Sequence, residues 1–382
     1  MTGDLVKTAS RAVRLLRPPQ DLRRALGVVL PAAACLLVGA SERAGVPRSR
    51  ADVPTIAGPL LNGSNAQLAV AGALAVAPNG ALYVVDAANA RILVQQRGGR
   101  FGVVAGNGDV GFSGDGGPAI RAELMSVSDM AFGSDGTLYI ADAGRVRAVS
   151  RSGVIRTIAG DGRALRTITN GTPALSAPLG VAETAQIGDT RQPVTPLWIA
   201  IRPQASQLYI STGRQILRLM PDGRLETVRA VATRGAAPLQ GFGPIAVDPA
   251  GTVYAGGNTG AWSVWEIPPD GDAQDLGFAR LSGGADPIVE LGPQDGIYVA
   301  SGSTLFRVRE SRLVAVRSFP AGRRAIVDDS YFPLTYFAFG KGDTLYADDI
   351  PGGLGFEPRQ RLVAVKDGHV STVWTQRSEH VG

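Results

Sequence analysis

The side chains equipped for chemistry in this 382-residue chain are carboxylates and guanidiniums that follow a tyrosine at short distance. Asp86, Asn89 and Arg91 come after Tyr83, Asp142 and Arg145 after Tyr139, Arg214 after Tyr209, and Asp348 with Asp349 after Tyr346. Carboxylates converging from several places can ligate Ca²⁺ through oxygen or act as acid and base with shifted pKa values. Converging guanidiniums can read an anionic ligand. A structural role competes with both: each Asp is expected to cap the turn after its strand, accepting nearby backbone N–H groups, with a following Arg paired to it locally. Repetition favours that role, because a turn residue is needed in every repeat and a catalytic residue only once.

Other chemistries find little material. The two histidines, His369 and His380, stand near the C-terminus, so a three-His zinc site is excluded, and Cys35, the single cysteine, allows no intrachain disulfide. GFSGD at 111–115 lacks the last glycine of a nucleophile elbow, and DVGFSGDGG does not have EF-hand spacing. No catalytic residue and no metal-ligand set is assigned, and Ca²⁺ on the repeated Asp residues is the one cofactor left open. Trp262, Trp265 and Trp374 could stack on a sugar, but strand alternation puts Trp262 and Trp265 on opposite faces, and core packing is the expected role.

The elements that must hold these residues follow from a repeat. An aliphatic residue precedes tyrosine at Tyr83, Tyr139, Tyr209, Tyr254, Tyr298 and Tyr346, mostly after a Gly-containing or polar turn. The steps run from about 44 to 70 residues, the range of a four-stranded propeller blade. Each unit reads as an apolar strand (ALAVAP, DMAFGS, LWIAIRP, PIAVDP, TYFAFG), the Tyr strand, an alternating strand (RILVQQ, RVRAVS, QILRLM, WSVWEI, TLFRVR, RLVAV) and a closing strand after a glycine turn. A lone four-stranded sheet cannot bury both faces, so the blades must stack around an axis. The expected fold is all-β, a six-bladed propeller over residues 52–376 followed by a polar tail at 377–382. The composition fits, with 45% hydrophobic residues for inter-blade cores and 50 glycines for tight turns. The long step between Tyr139 and Tyr209 holds extra chain at 179–195, expected as a surface insertion. VPTIAG at 53–58 copies the closing-strand pattern of VIRTIAG at 154–160 and is expected to join the last blade.

Residues 103–162, VVAGNGDVGFSGDGGPAIRAELMSVSDMAFGSDGTLYIADAGRVRAVSRSGVIRTIAGDG, resemble the NHL-repeat family. The family's Asp, Asn, Arg run matches Asp86, Asn89 and Arg91 in the first blade, and Asp142, Gly144 and Arg145 in the second. The third keeps Gly213 and Arg214; the later blades mostly lose the pattern, although Asp348 and Asp349 return in the last. The resemblance implies a propeller that binds through its faces, with these repeat-loop positions as candidate ligand contacts. Six-bladed propellers also include metal-dependent lactonases and lyases, which supplies the alternative.

The N-terminus is of another kind. Residues 1–24 carry Lys7, Arg11, Arg14, Arg17, Arg23 and Arg24 against Asp4 and Asp21, and 25–40 is uncharged. A basic head before an apolar run is an export signal. Val38, Gly39 and Ala40 suit cleavage, the long head suits a retained anchor with its head inside, and AAAC ending at Cys35 weakly resembles a lipidation box; all three stay open. Residues 41–51 are a linker. With the head removed the chain has a formal charge of only +1, so no basic excess recommends nucleic acid as a partner. The expected function is an extracytoplasmic binding or interaction module, secreted or membrane-anchored, taking a protein, peptide or glycan, and the alternative is a metal-dependent lactonase, hydrolase or lyase.

Overall fold

The computed structural model describes residues 66–375 apart from 181–183, 188–189, 194–195, 232–240, 259–261, 278–286, 302–303, 319–335 and 350–359. The head, Cys35, the 53–58 segment and the tail therefore lie outside the described residues. What is described falls within the compact unit Arg50–Gly382.

Six antiparallel meanders of four strands account for the sheets, with one separate hairpin. Blade 1 runs Ala71–Val76, Leu82–Asp86, Arg91–Gln95 and Phe101–Ala105. Blade 2 is Val127–Phe132, Leu138–Asp142, Arg145–Val149 and Ile155–Ala159. Blade 3 is Trp198–Arg202, Gln207–Ser211, Gln215–Leu219 and Arg224–Ala230. Blade 4 is Gly241–Val247, Val253–Asn258, Trp262–Ile267 and a short Gln274–Asp275. Blade 5 is Ile288–Leu291, Ile297–Ser301, Thr304–Arg309 and Arg312–Ser318. Blade 6 is Phe337–Phe339, Leu345–Asp349, Arg361–Lys366 and His369–Thr375. The closing strand of blade 6 is thus His369–Thr375. The inserted chain at 179–195 contains the hairpin, Thr184–Ile187 against Thr190–Pro193.

The ring closes through its first strands. Each touches the first strand of the next blade, and blade 6 touches blade 1. The cores follow the same rule, because every apolar cluster is shared by two neighbouring blades; Leu68, Leu82, Val84 and Phe101 of the first blade meet Ala338 and Leu362 of the last. The repeat tyrosines act as knobs in these seams. Tyr83 packs edge-on against Phe132 of blade 2 at 4.8 Å, and Tyr298 lies 4.5 Å from Phe339 of blade 6. Each fully buried aromatic or aliphatic side chain stabilises the ring by about 1.5–3 kcal/mol. Trp265 and Trp374 pack against such clusters, as the core reading expected.

The crossovers between blades cover outer edges that would otherwise template aggregation. Pro118 bridges to Val154 beside the closing strand of blade 2, and Thr172–Pro173 adds a fifth strand to blade 3. The AGNG and AGDG runs enter these crossovers by close approach: a Cβ on Gly106 would sit 2.3 Å from the Ala90 carbonyl oxygen, and one on Gly160 2.3 Å from that of Gly144. Both glycines have positive φ, 89° and 88°. Only glycine meets both demands.

Candidate functional site

The repeated acids are buried at the end of their Tyr strands, and each reaches back into its own blade. Asp86 Oδ1 accepts the Ala69 amide at 3.1 Å. Asp142 Oδ1 accepts the amides of Met125 and Ser126, both at 2.9 Å. Asp348 Oδ1 accepts the Tyr336 amide at 2.8 Å. In all three blades the amide belongs to the segment that enters the axial strand. The expectation of local backbone service holds, but the turn after the strand is not what these oxygens cap. They clip the incoming chain to the sheet.

The guanidiniums are less uniform than expected. Arg91 pairs with Asp86 Oδ2 at 2.6 Å, beside Asn89, whose amide donates to the same oxygen at 2.9 Å. Arg145 does not pair with Asp142; it donates to the Asp161 carbonyl at 3.0 Å and lies 3.9 Å over the Phe112 ring. Asp142 is instead 3.6 Å from the buried Arg147. Arg214 is exposed and out of register: counted from the tyrosine pairing, Gln215 holds the position of Arg91 and Arg145. Gln215 clips the backbone of Ile168, accepting its amide at 2.6 Å and donating to its carbonyl at 2.9 Å. Asp349 ends its strand opposite Arg361, and its side chain lies outside the described residues.

Arg147 was not foreseen. It stands opposite Ile140, at the register where the other blades carry Leu93, Leu217, Trp265, Phe306 and Val363. From there it donates to Asp115 Oδ1 at 2.7 Å and to the carbonyls of Glu123 and Ser113 at 2.7 and 3.0 Å. Burial works to raise the Asp115 carboxyl, but bonds from Thr157 and Arg147 outweigh it and hold the group below its ordinary value. The GFSGDGG run is therefore a crossover tied down by one arginine. Asp142, by contrast, is pushed up by burial against the pull of its two amides and Arg147.

The axial strands hold the second unforeseen set. Opposite the repeat tyrosine they carry Ala75, Ala131, Ala200, Ala246 and Ala338, but Glu290 in blade 5. Asp129 of blade 2, Trp198 of blade 3 and Tyr336 of blade 6 share the neighbouring tier, two residues before that alanine. Blades 2 and 5 face each other across a six-membered ring. Glu290 is held well above the usual carboxylate range by burial, with the Asp129 charge adding to it. Asp129 itself is pushed up to about 7 by burial, against hydrogen bonds from the amides of Ile199 and Met130, both at 2.8 Å. Burial, with the charges of Asp129 and Asp348, also raises Tyr336. Two protonatable acids and a phenol thus converge on the axis. The signal available in sequence was a single acid inside an apolar strand, VSDMAF and PIVELG.

Among the described residues no three His, Cys, Asp or Glu side chains come together as a metal cage.

Residues 101–250 match the family model of the Teneurin NHL domain. Over that stretch the propeller is of the NHL-repeat kind. Teneurin-m of Drosophila melanogaster is 29% identical over 121 residues, 32% of this chain and 4% of that protein. Teneurin-3 of Mus musculus is 30% identical over 123 residues, 31% of this chain and again 4% of its own length. The chain thus spans a small fraction of the length of the curated relatives it matches. Among solved structures it is similar to a virginiamycin B lyase from Staphylococcus aureus, at 12% identity and a TM-score of 0.47 over 82% of this chain and 85% of that one. A streptogramin B lyase structure gives 10% identity and a TM-score of 0.48 over 79% and 82%.

Proposed function

We propose that the chain is an extracytoplasmic binding module whose axial strands offer a protein, peptide or glycan partner the groups around Asp129, Glu290 and Tyr336. One observation carries the reading: the acids that recur from blade to blade serve their own blades, while Glu290 occurs once, where five blades have alanine. A residue that breaks an internal repeat inside an apolar strand carries a burial penalty that the fold does not require. Binding a partner's donors at the axis is the gain that offsets it. The basic head and uncharged run at 1–40 support export. Deleting them should keep a folded propeller in the cytoplasm, and undiminished export of the truncated chain would defeat that part.

Glycan and peptide arrays probed with the purified chain should return a ligand whose affinity falls about tenfold in Glu290→Ala, the loss of one hydrogen bond at the axis. The variant should melt no lower than the parent, since alanine is the residue of the other blades there. Binding that survives both Glu290→Ala and Asp129→Asn would sink the axial assignment. A second reading draws on the same facing pair, which could serve a metal-dependent lactonase, hydrolase or lyase. Calorimetric titration of metal-stripped protein with Ca²⁺ and Zn²⁺, then a lactone hydrolysis screen, separates the two. Stoichiometric metal binding and activity lost together in Asp129→Asn would favour the enzyme.

A further inference from the structure

A cavity of about 280 Å³ opens between blades 4 and 5. Antiparallel meanders send alternate turns to opposite faces of the disc. The cavity is built by the turns after the axial strands and so lies on the face opposite the loops of Asp86 and Asp142. Its lining includes Tyr254, the turn Gln294–Asp295–Gly296, Arg307 and Arg309.

Three features of this lining are not needed for the blade. Gln294 and Asp295 are consecutive non-glycine residues in the left-handed region, with φ of 57° and 53°. Such strain is unfavourable and gathers at ligand clamps. Next, the Arg307 side chain is laid over Gly296, where a Cβ would come within 2.7 Å of its Nε, and its guanidinium carbon is 5.5 Å from the Tyr298 ring centroid. A guanidinium seated in this way is oriented before any ligand arrives. Finally, among the described residues neither Arg307 nor Arg309 has a carboxylate partner within ion-pair distance. Of the two acids in the wall, Asp248 is already engaged, accepting the amides of Gly251 and Thr252, both at 2.8 Å.

Tyr254 sets the other half of the chemistry. Its hydroxyl proton is donated to Glu266 at 2.9 Å, so towards the cavity the phenol oxygen can only accept. Asp295 adds another acceptor. We propose that this cleft binds a small organic acid bearing hydroxyl or ammonium donors, the chemistry shared by uronates and amino acids. Its acid group faces Arg307 and Arg309, and its donors face Tyr254 and Asp295. The volume suits a ligand of about that size, at the lower end of small-molecule sites.

Isothermal titration of the full chain with D-glucuronate, L-glutamate and inorganic phosphate tests the assignment and tells its two sources apart. Glucuronate or glutamate should bind measurably, and at least tenfold more weakly to Arg307→Gln. Gly296→Ala should weaken binding without removing a charge, because the new methyl displaces the guanidinium. Arg307→Lys, which keeps the charge and loses the fork, checks that a loss in Arg307→Gln is not misfolding; its melting temperature should match the parent's while affinity still falls. Phosphate binding as tightly as both organic acids would overturn the ligand class. No binding by either acid at millimolar concentration, or binding indifferent to Arg307→Gln and Gly296→Ala, would overturn the site.

Discussion

Asp142 separates two roles that a buried acid can play. Its Oδ1 holds two amides, and its Oδ2 stands 3.6 Å from a guanidinium that has other partners. If the amides matter most, Asp142→Asn, which keeps one acceptor oxygen, should cost less than about 1 kcal/mol, while Asp142→Ala should cost about 2–4 kcal/mol by stranding buried donors. Equal losses in chemical denaturation would instead assign the role to the charge. Asp129 is a case of opposite sign from the usual salt-bridged acid. Its folded pKa of about 7 lies above the ordinary carboxyl value of 3.8, so between those limits the unfolded chain loses the proton first. Stability contributed by this group is therefore present at acidic pH and falls as pH rises from about 4 to about 7. Asp129→Asn should flatten that limb of a stability-against-pH curve. An unchanged slope in the variant would mean that another group, with Glu290 the first suspect, controls it.

At the scale of strands, the sequence made the period legible because each Tyr strand follows a turn whose residues punctuate the chain, and Tyr is suited to a half-buried pleat. The positions of Tyr83, Tyr139, Tyr209, Tyr254, Tyr298 and Tyr346 in second strands follow from that alone. Register beyond the loop was harder. The link from second to third strand differs in length between blades, from Ala87–Ala90 in blade 1 to Ala143–Gly144 in blade 2. Matching the Gly-Arg pair of blade 2 put Arg214 where the hydrogen-bonded register puts Gln215. Arg147, Asp129 and Glu290 were hidden for a different reason. Each lies in a strand whose other residues give an ordinary apolar or alternating pattern, and a one-dimensional period cannot show which neighbouring blade a side chain meets. Only the register exposes Glu290 as the exception among alanines. The Asp residues at 86 and 142 were legible as structural groups because they recur, although the amides they hold are 16 or 17 residues back in sequence.

For the molecule as a whole, the ring is only as strong as the seam between its last and first blades, because every other seam joins consecutive chain. Apolar contact closes that seam, and one side chain adds direction. Gln360, at the start of the third strand of blade 6, accepts the Ala71 amide at 2.8 Å and donates to the Ala71 carbonyl at 2.7 Å, across 289 residues. Gln215 makes the same double bond to Ile168, but across 47 residues. The chemistry is equal and the topology is not. Gln215→Ala should open a local crossover, whereas Gln360→Ala leaves two buried backbone groups unpaired at the point where the ring meets itself. Both variants should lose about 2–4 kcal/mol from the stranded amide and carbonyl. Hydrogen exchange should distinguish them: in Gln360→Ala protection should fall together in the axial strands of blades 1 and 6, and in Gln215→Ala only around Ile168. Matching exchange patterns in the two variants would show that closure rests on the apolar seam, with the glutamine clip incidental to it.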